Sequence, residues 1–433
     1  MRTHSIFKNL LLILPAVSFW YVGLFLTVLL WYPAGLSEFE WREHVLHFSI
    51  VYLLWFIIFF VYSLFDLQIL HSFRGLTTRL IGAITLCVVV AIVYFYFQPQ
   101  LLLTPRRFLL VHMFISSFGI IGWYWMLYKI SPQVGQIVLY SFESSTNEVN
   151  LQTLISQHGY AGLKYGGILT DDKLSTASNL GATVVLPINT SIDEPTKQKL
   201  FALRSSGVRF QDYYDLYERL TRKIHLSALS ELWFIESIDY GFRRLFDLTK
   251  RVIDIFLSLV ATLIFLTTLP VIAVIIKLTS KGPVFFTQNR VGLHGRPFRL
   301  YKYRTMTVDS ASNEWAGSGQ KVTMVGKVLR AIRLDELPQS MNILRGDMSV
   351  VGPRPEQVGI VDSMREQIPY YNERHIVKPG LTGWAQLHVY AASVEETRQK
   401  LQYDLYYIKH RNLLFDLEII LKTIYNILNF KGR

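Results

Sequence analysis

Residues 334–338 read Leu-Asp-Glu-Leu-Pro and place two adjacent carboxylates where a helix is expected to begin. Pro338 has no N–H to donate, so it is tolerated in the first turn of a helix and poorly inside one. We therefore predict that Asp335 lies at or beside the N-terminus of a helix that runs through residues 339–344. The partial positive charge of that helix end favours an ionised carboxylate, which can attack phosphorus or hold a metal ion. For an isolated Asp-Glu pair, the simpler interpretation is that Asp335 caps the helix and that Glu336 is solvated. The rest of the sequence has to decide between this structural role and a catalytic one.

The composition indicates a membrane protein. Of the 433 residues, 51% are hydrophobic and 14% are aromatic, and the mean hydropathy is +0.28, which is unusual for a soluble protein. The formal net charge of +12 is typical of cytoplasmic flanks and of a surface that lies on anionic lipid. The sequence contains no nucleic-acid recognition motif, so no nucleic acid is expected as a partner. The single cysteine, Cys87, lies in an apolar run, which excludes a disulfide framework and a thiolate metal site.

Four apolar stretches near the start of the chain are long enough to span a membrane. They are residues 9–32, 45–65, 79–98 and 107–128. The first stretch is too long for a cleavable signal peptide and is interpreted as a membrane anchor. Basic residues between the second and third stretches and after the fourth, with acidic residues in the first loop, place both ends of the region in the cytoplasm. We predict a four-helix transmembrane region over residues 1–130.

Residues 131–228 alternate between strand and helix patterns. Strands are predicted at 136–140, 182–187 and 208–210, and helices at 147–158 and 194–206. This order predicts a small cytoplasmic α/β domain with a parallel, Rossmann-like sheet. A dinucleotide site would need a glycine-rich turn after the first strand. The turn at 141–145 contains no glycine and adds Glu143, so we interpret the domain as a spacer or assembly domain rather than a nucleotide site.

Two membrane-associated segments follow. Residues 229–250 alternate apolar and basic side chains and predict an amphipathic linker at the membrane surface. Residues 251–277 are apolar enough to span, yet basic residues lie at both ends, which favours entering and leaving the same leaflet. Pro270 bends a helix, and the hydroxyl of Ser258 can satisfy a polar group inside lipid. We predict a re-entrant helix-break-helix with Ser258 and Pro270 as its hinge, and an ordinary fifth span is the alternative.

Residues 278–433 are predicted to form an α+β catalytic domain that surrounds the acid pair with cations. Strand alternation puts Lys302 and Arg304 on one face, where two parallel cations suit a pyrophosphate. Arg330 and Arg333 come shortly before the acid pair. An isolated pair of basic residues on a strand usually lies on a solvent-exposed face. The interpretation of these cations as phosphate-binding residues therefore depends on the motifs around them.

Two later loops add further candidates for substrate binding. Pro353 and Pro355 flank Arg354 and stiffen its backbone, which fixes where the guanidinium can point. Arg354 is therefore the strongest candidate for a phosphate contact. The loop that begins at Lys378 has two glycines for tight turns, and its Trp384 could stack on a nucleotide base.

Four motifs, in this order, resemble the bacterial sugar transferase family, the monotopic polyprenyl-phosphate phosphoglycosyl transferases. They are Lys-Gly-Pro-Val-Phe-Phe at 281–286, Asp-Glu-Leu-Pro-Gln at 335–339, Gly-Asp-Met-Ser-Val-Val-Gly-Pro-Arg-Pro at 346–355 and Lys-Pro-Gly-Leu-Thr-Gly-Trp-Ala-Gln at 378–386. The resemblance runs from about residue 246 to the end of the sequence. The N-terminal half resembles the enlarged members that prime exopolysaccharide, capsule or O-antigen synthesis, except that the middle domain lacks its glycine-rich turn.

The resemblance implies transfer of a sugar 1-phosphate from a UDP-sugar to undecaprenyl phosphate, with release of UMP. In that family the Asp of the Asp-Glu pair is the nucleophile, which corresponds to Asp335, and it forms a phosphosugar-enzyme ester that the lipid phosphate then attacks. Glu336 corresponds to the acid that helps to hold Mg²⁺, with Asp335 as a second candidate ligand. The basic residues would neutralise the charge that develops at phosphorus. The resemblance further implies a homodimer in the bacterial inner membrane, in contact with membrane lipid, with its catalytic domain on the cytoplasmic face.

Two alternatives stay open at this point. In the first, Asp335 and Glu336 only bind metal, and the lipid phosphate attacks the UDP-sugar directly in a ternary complex. In the second, the protein is a non-catalytic membrane scaffold for polysaccharide synthesis, although the joint presence of Lys302, Arg354 and the acid pair speaks against it. The sugar itself, whether glucose, galactose or an N-acetylated hexose, is not specified by the sequence.

Overall fold

The protein is described by a computed structural model, and the chain forms two compact units. The units are Met1–Leu216 and Tyr217–Arg433. The first therefore contains both the apolar N-terminal helices and a sheet, and the second contains the acid pair. The described residues are 3–33, 35–62, 64–65, 73–97, 106–130, 136–140, 153, 164–169, 183–186, 194–205, 208–238, 244–307, 322–389 and 393–428.

Four long apolar helices begin the first unit, close to the four predicted stretches. They are α1 (Thr3–Trp31), α2 (Glu38–Val61), α3 (Phe73–Tyr96) and α4 (Arg106–Ile130). The helix α1 packs mainly against α4, and α2 packs against α3. Aromatic rings fill the bundle, and its buried polar groups are paired, as burial requires. The hydroxyl of Tyr52 donates to the carbonyl of Trp20 at 2.9 Å and lies 3.0 Å from His112 Nε2.

A four-stranded parallel sheet follows in the same unit. Its strands are β1 (Gln136–Tyr140), β2 (Lys164–Leu169), β3 (Thr183–Leu186) and β4 (Arg209–Asp212), in the order β2-β1-β3-β4, and α5 (Glu194–Ser205) connects β3 to β4. The edge strand β2 was not predicted, because Gly166 and Gly167 interrupt its apolar pattern. The turn at 141–145 lies outside the described residues, as does all of the predicted helix at 147–158 except Thr153.

The second unit contains the remaining elements. Its helices are α6 (Tyr213–Thr221, which begins in the first unit), α7 (Glu231–Ser237), α8 (Arg244–Thr279), α9 (Met324–Ala331), α10 (Ser340–Arg345), α11 (Val358–Gln367), α12 (Val394–His410) and α13 (Leu413–Leu428). The strands β5 (Phe285–Val291) and β6 (Pro297–Tyr303) pair antiparallel, and β7 (Ser349–Val351) and β8 (Gly380–Thr382) pair parallel. Five helices in the described part of the chain, α1 to α4 and α8, are long and apolar enough to cross a membrane.

The helix α8 continues through Pro270, so the predicted break of the helix is wrong. It comprises 36 residues, or about 54 Å at 1.5 Å per residue. Pro270 removes only the N–H that would donate to the carbonyl of Leu266, and the backbone stays helical on both sides of it. The second predicted hinge residue, Ser258, is 1% exposed, and its hydroxyl has no hydrogen-bond partner among the described residues.

Both ends of α8 are bonded to the catalytic part of the same unit. Near its N-terminal end, the Arg251 guanidinium donates to the carbonyls of Ile343 and Leu344 at 2.6 and 2.8 Å. Just beyond its C-terminal end, the carbonyl of Ser280 accepts from Arg304 at 2.7 Å. Many apolar side chains of α8 remain exposed between these points. The helix is therefore held along the surface of this unit at both ends.

Candidate active site

The acid pair lies at the start of a short helical segment, as predicted. Residues Leu334–Gln339 form a 3₁₀ helix that passes directly into α10. The chain enters it through Arg333, whose φ of 55° is left-handed. Asp335 and Glu336 are each only 8% exposed. Two adjacent carboxylates buried to this extent need nearby positive charge.

Glu336 forms ion pairs with three cations. Its Oε1 accepts from Lys302 Nζ at 2.8 Å and from Arg354 Nη2 at 3.3 Å, and its Oε2 lies 3.6 Å from Arg333 Nη1. Burial alone would raise the pKa of Glu336, but the attraction of Lys302 and Arg354 outweighs it and holds the pKa well below its ordinary value. Glu336 is therefore a fixed anion at the centre of three cations.

Asp335 is different. Among the described residues its side chain has no hydrogen bond and no ion pair. Burial and then repulsion from Glu336 raise its pKa above the ordinary value, against the attraction of Lys302, Arg330 and Arg354. The cations lower the pKa of Asp335 as predicted, but burial and the charge of Glu336 outweigh them. What remains is an acid with its oxygens uncommitted.

The cluster carries more positive than negative charge. Arg330 does not touch the acids, but its Nε donates to Thr305 Oγ1 at 2.9 Å and its charge acts on Asp335. With Lys302, Arg333 and Arg354, four cations face two carboxylates, a surplus of two positive charges. Such a surplus suits a pyrophosphate, and fixed cations stabilise the charge that develops when phosphorus is attacked.

The loop around Arg354 is held by hydrogen bonds to the carbonyls of its flanking prolines. The carbonyl of Pro353 accepts from the N–H of Gly380 at 2.8 Å, and the carbonyl of Pro355 accepts from Arg290 at 3.2 Å. A Cβ on Gly380 would lie 2.1 Å from the nitrogen of Gly352, so only glycine permits these two loops to pack backbone against backbone. The guanidinium of Arg354 is thereby held where it reaches Glu336.

A buried ion network that the sequence analysis missed supports this loop. Arg374, 1% exposed, donates to the carbonyl of Arg354 at 3.1 Å and to Asp404 at 2.7 Å. Lys400 donates to Glu356, two residues beyond Arg354. The helical spacing of Lys400 and Asp404 could have indicated this network, because it places both residues on the buried face of a helix together with apolar residues.

The network predicts acid sensitivity. Burial would raise the pKa of Glu356, but Lys400 and Arg374 lower it from 4.5 to about 2. A carboxylate with a depressed folded pKa stabilises the protein above pH 4.5, and the contribution is lost as pH falls through about 2. The shift corresponds to about 3 kcal/mol. We expect Glu356→Gln to lower the free energy of unfolding at pH 7, in urea unfolding of the solubilised protein, and to flatten its dependence on pH between 4.5 and 3.

The exposed Glu366 provides the control for that measurement, since Glu366→Gln makes the same chemical change outside the network. It should leave both the stability and its pH dependence as in the unaltered protein. An unchanged pH dependence in Glu356→Gln would contradict the stabilising role of this network.

Three predicted binding residues lie away from the acid pair. Arg304 follows the end of β6 and bonds Ser280, so it does not pair with Lys302 on one strand face. Its Nε and Nη1 are buried without a partner. Lys378 approaches Gly346 beside the guanidinium of Arg251, at the start of α8 rather than at the acids.

Trp384, the third, cannot stack on a base in this structure. It is 2% exposed. Its indole N–H donates to the carbonyl of Arg222 at 3.1 Å, and the Arg222 guanidinium lies 4.4 Å from its ring centre. The predicted aromatic platform is therefore a buried packing residue, because its ring is already covered by a cation.

The carboxylates provide an incomplete Mg²⁺ donor set on their own. In the described part of the chain no three acidic, histidine or cysteine side chains come together. Mg²⁺ commonly binds one or two carboxylates together with substrate phosphates and water. Asp335 fits that role because its oxygens are uncommitted, whereas both oxygens of Glu336 already face cations.

Comparison with known proteins identifies relatives of this half of the chain. The sequence profile of the family described as Bacterial sugar transferase matches residues 245–430. The UDP-N-acetylgalactosamine-undecaprenyl-phosphate N-acetylgalactosaminephosphotransferase of Aeromonas hydrophila is 49% identical over 187 residues, 42% of this chain and 44% of that protein. The UDP-glucose:undecaprenyl-phosphate glucose-1-phosphate transferase of Escherichia coli K12 is 40% identical over 184 residues, 41% of this chain and 40% of that protein.

The UDP-glucose:undecaprenyl-phosphate glucose-1-phosphate transferase of Caulobacter vibrioides is covered more fully. It is 44% identical over 188 residues, which is 42% of this chain and 70% of that protein. The chain thus spans less than half of the length of the first two relatives and more than two thirds of the third. In all three comparisons the similar segment covers less than half of this chain.

Proposed function

The chain belongs to the bacterial sugar transferase family, and on that premise we propose that it transfers a hexose 1-phosphate from a UDP-sugar to undecaprenyl phosphate. UMP is the second product, and the reaction would be the priming step of bacterial surface polysaccharide synthesis. The observation that carries the proposal is the difference between two neighbouring acids. Glu336 holds three cations, while Asp335 is buried beside them with no partner among the described residues.

The reaction is proposed to pass through Asp335. A carboxylate oxygen of Asp335 attacks the phosphorus that carries the sugar, the bond to the bridging oxygen breaks, and UMP leaves with that oxygen. An oxygen of undecaprenyl phosphate then attacks the same phosphorus, which releases Asp335 and forms the lipid diphosphate sugar. Direct attack by the lipid phosphate in a ternary complex is the competing mechanism. The uncommitted oxygens of Asp335 would permit either role, nucleophile or metal ligand, so a sugar phosphate trapped on Asp335 is the result that separates the two paths.

The cations supply the stabilisation that both steps need. Lys302, Arg333 and Arg354 are held in place by Glu336 before substrate arrives, so little reorganisation is required when negative charge develops. Mg²⁺, held by Asp335 and the donor phosphates, would neutralise further phosphate charge. Glu336 is the other candidate ligand, through Oε2, whose nearest cation is Arg333 Nη1 at 3.6 Å.

The long helix α8 supports a position at the membrane surface. A helix that crossed the bilayer would put its ends in different compartments, yet Arg251 and Ser280, near the two ends, are bonded to one compact unit. Thr262, between them, donates to Ser340, the residue after the catalytic 3₁₀ segment, at 2.9 Å. We therefore propose that α8 lies along the cytoplasmic leaflet of the inner membrane without crossing the bilayer, which brings the acids near headgroup depth. We also propose that the protein forms a homodimer, as its resemblance to the enlarged family members implies.

A labelling experiment tests this topology. In a Cys87→Ser background, Lys281→Cys introduces an exposed thiol just after α8. We expect a membrane-impermeant maleimide to label it only in inverted vesicles, where the cytoplasmic face is outside. Glu38→Cys, in the first loop between apolar helices, is the matched control and should react only in right-side-out vesicles. Labelling of both thiols from the same side would contradict the placement of both ends of α8 on the cytoplasmic side.

The proposed activity is tested by supplying the purified protein with undecaprenyl phosphate, Mg²⁺ and one of four radiolabelled donors. The donors are UDP-glucose, UDP-galactose and their two N-acetylated counterparts. We expect one donor to give a labelled lipid and an equal amount of UMP. No labelled lipid from any of the four would contradict the proposal for these hexoses.

A further inference from the structure

One buried side chain joins the two elements that form the Lys302–Glu336 ion pair. We propose that Asn342 is a positioning residue of the transfer reaction, an inference that rests on the proposed function. It would hold Lys302 on Glu336 without itself touching a substrate. Asn342 lies in α10 and is 0% exposed. Lys302 lies in β6, and Glu336 lies in the 3₁₀ segment that passes directly into α10.

The carboxamide of Asn342 bonds the backbone of β6 as a neighbouring strand would. Its Nδ2 donates to the carbonyl of Arg299 at 2.8 Å, and its Oδ1 accepts from the N–H of Tyr301 at 3.3 Å. Residues two apart on a strand direct their backbone groups to the same edge. In the described part of the chain β6 pairs with β5 alone, so the amide occupies the edge of β6 that no strand covers.

A third hydrogen bond fixes the orientation of the amide. Nδ2 of Asn342 also donates to Asp347 Oδ2 at 3.3 Å, and because a carboxylate only accepts, the nitrogen must lie on that side. The backbone carbonyl of Asn342 accepts from the N–H groups of Gly346 and Asp347 at 3.1 and 3.0 Å, in the turn that ends α10. The side chain therefore links β6 to α10 with both of its polar atoms paired.

This link acts directly beside the ion pair. Tyr301, whose N–H is bonded to Asn342, immediately precedes Lys302, and Lys302 Nζ donates to Glu336 Oε1 at 2.8 Å. A displacement of β6 along α10 would therefore move the ammonium group relative to the carboxylate. A misplacement of about 1 Å can lower a rate by about a hundredfold. Because the flexible stem of a lysine absorbs part of such a shift, we expect a smaller loss, of about tenfold.

A second contact between the same two elements provides a matched control. The exposed Arg345, on α10, donates to the hydroxyl of Tyr301 at 3.2 Å, and its guanidinium lies 5.3 Å from the centre of the Tyr301 ring. Water can replace this hydrogen bond, whereas the bonds of the fully buried Asn342 have no such substitute. Tyr301→Phe therefore removes a bond between β6 and α10 at the surface and keeps the ring in place.

The test measures kcat for UMP release with Asn342→Ala in the unaltered protein and in a Lys302→Met background. We expect Asn342→Ala to lower kcat by about tenfold or more when Lys302 is present. In the Lys302→Met background the loss should be less than about twofold, because residues that act as a unit are not additive. Tyr301→Phe should leave kcat unchanged. An equal loss in both backgrounds, which a purely structural role would produce, or no loss in either, would overturn the inference.

A binding measurement keeps the positioning role separate from the transfer reaction. Calorimetry with UDP and Mg²⁺ gives the affinity for the diphosphate in the same four proteins, whether or not turnover occurs. We expect Asn342→Ala to weaken binding by about fivefold, and only when Lys302 is present.

The milder Asn342→Ser, which keeps one hydrogen-bonding group, replaces the alanine variant in both measurements if that variant does not fold. Absence of UMP release by the unaltered protein, with the Lys302-dependent loss of UDP affinity intact, would refute the proposed function and leave the positioning role standing. An equal loss of UDP affinity in both backgrounds, or no loss in either, would refute the positioning role.

Discussion

Asp335→Asn is expected to reduce UMP release by about a thousandfold or more, because the amide has nearly the same shape but cannot attack phosphorus. Asp335 has no hydrogen bond or ion pair in the described part of the chain, so its replacement removes no contact that holds the fold. Loss of activity should therefore occur with normal membrane insertion and an unchanged unfolding midpoint. The measurement is UMP release with saturating UDP-sugar and undecaprenyl phosphate.

The matched control for this prediction is Asp362→Asn on α11. Its side chain is 52% exposed and forms only a surface pair with Arg365, which contributes little to stability. It should leave UMP release unchanged. If Asp335→Asn released UMP within tenfold of the unaltered rate, the assignment of Asp335 as nucleophile would be wrong.

Arg354→Lys is expected to lower kcat by about a hundredfold, the usual loss when one preorganised donor is removed from a transition state. The change keeps the charge but removes the planar fork. One guanidinium now reaches Gln386 and Glu336 with two different nitrogens at 3.3 Å each, and a single ammonium cannot do so. Because the loop backbone is held by Arg374 and by the neighbouring prolines, we expect the fold to persist.

Steady-state kinetics with the UDP-sugar varied tests the Arg354 prediction. The control is Arg365→Lys, at a side chain that is 54% exposed, and it should behave as the unaltered protein. A kcat for Arg354→Lys within threefold of normal would show that the fork does not contact the reacting phosphate.

The elements that follow from local pattern were predicted well. The four apolar helices, the first strand of the parallel sheet and the helix start at Leu334 each depend on a run of neighbouring residues, and such runs are visible in one sequence. The strand at Lys164–Leu169 was missed because its two glycines hide the pattern. The break at Pro270 was wrong because a helix held at both ends by packing tolerates one lost hydrogen bond.

The division of roles between the two acids could not be predicted. Asp335 and Glu336 are adjacent, and only the folded chain decides which one meets Lys302 and Arg354. The same limit applies to Trp384, whose ring is covered by Arg222 from a segment more than 150 residues earlier. Contacts over such separations leave no periodic signal in the sequence, so exposure and pairing have to come from the structure.

The most direct measurement for Asp335 as nucleophile is the mass of the intact protein after a single turnover with UDP-sugar and Mg²⁺ and without undecaprenyl phosphate. A covalent path predicts a mass increase of one sugar phosphate, located on the peptide that contains Asp335, together with one equivalent of UMP. Addition of undecaprenyl phosphate should remove the adduct, and Asp335→Asn should never form it. UMP that appears only when the lipid phosphate is present, with no adduct at any time, would contradict the covalent path and favour direct transfer.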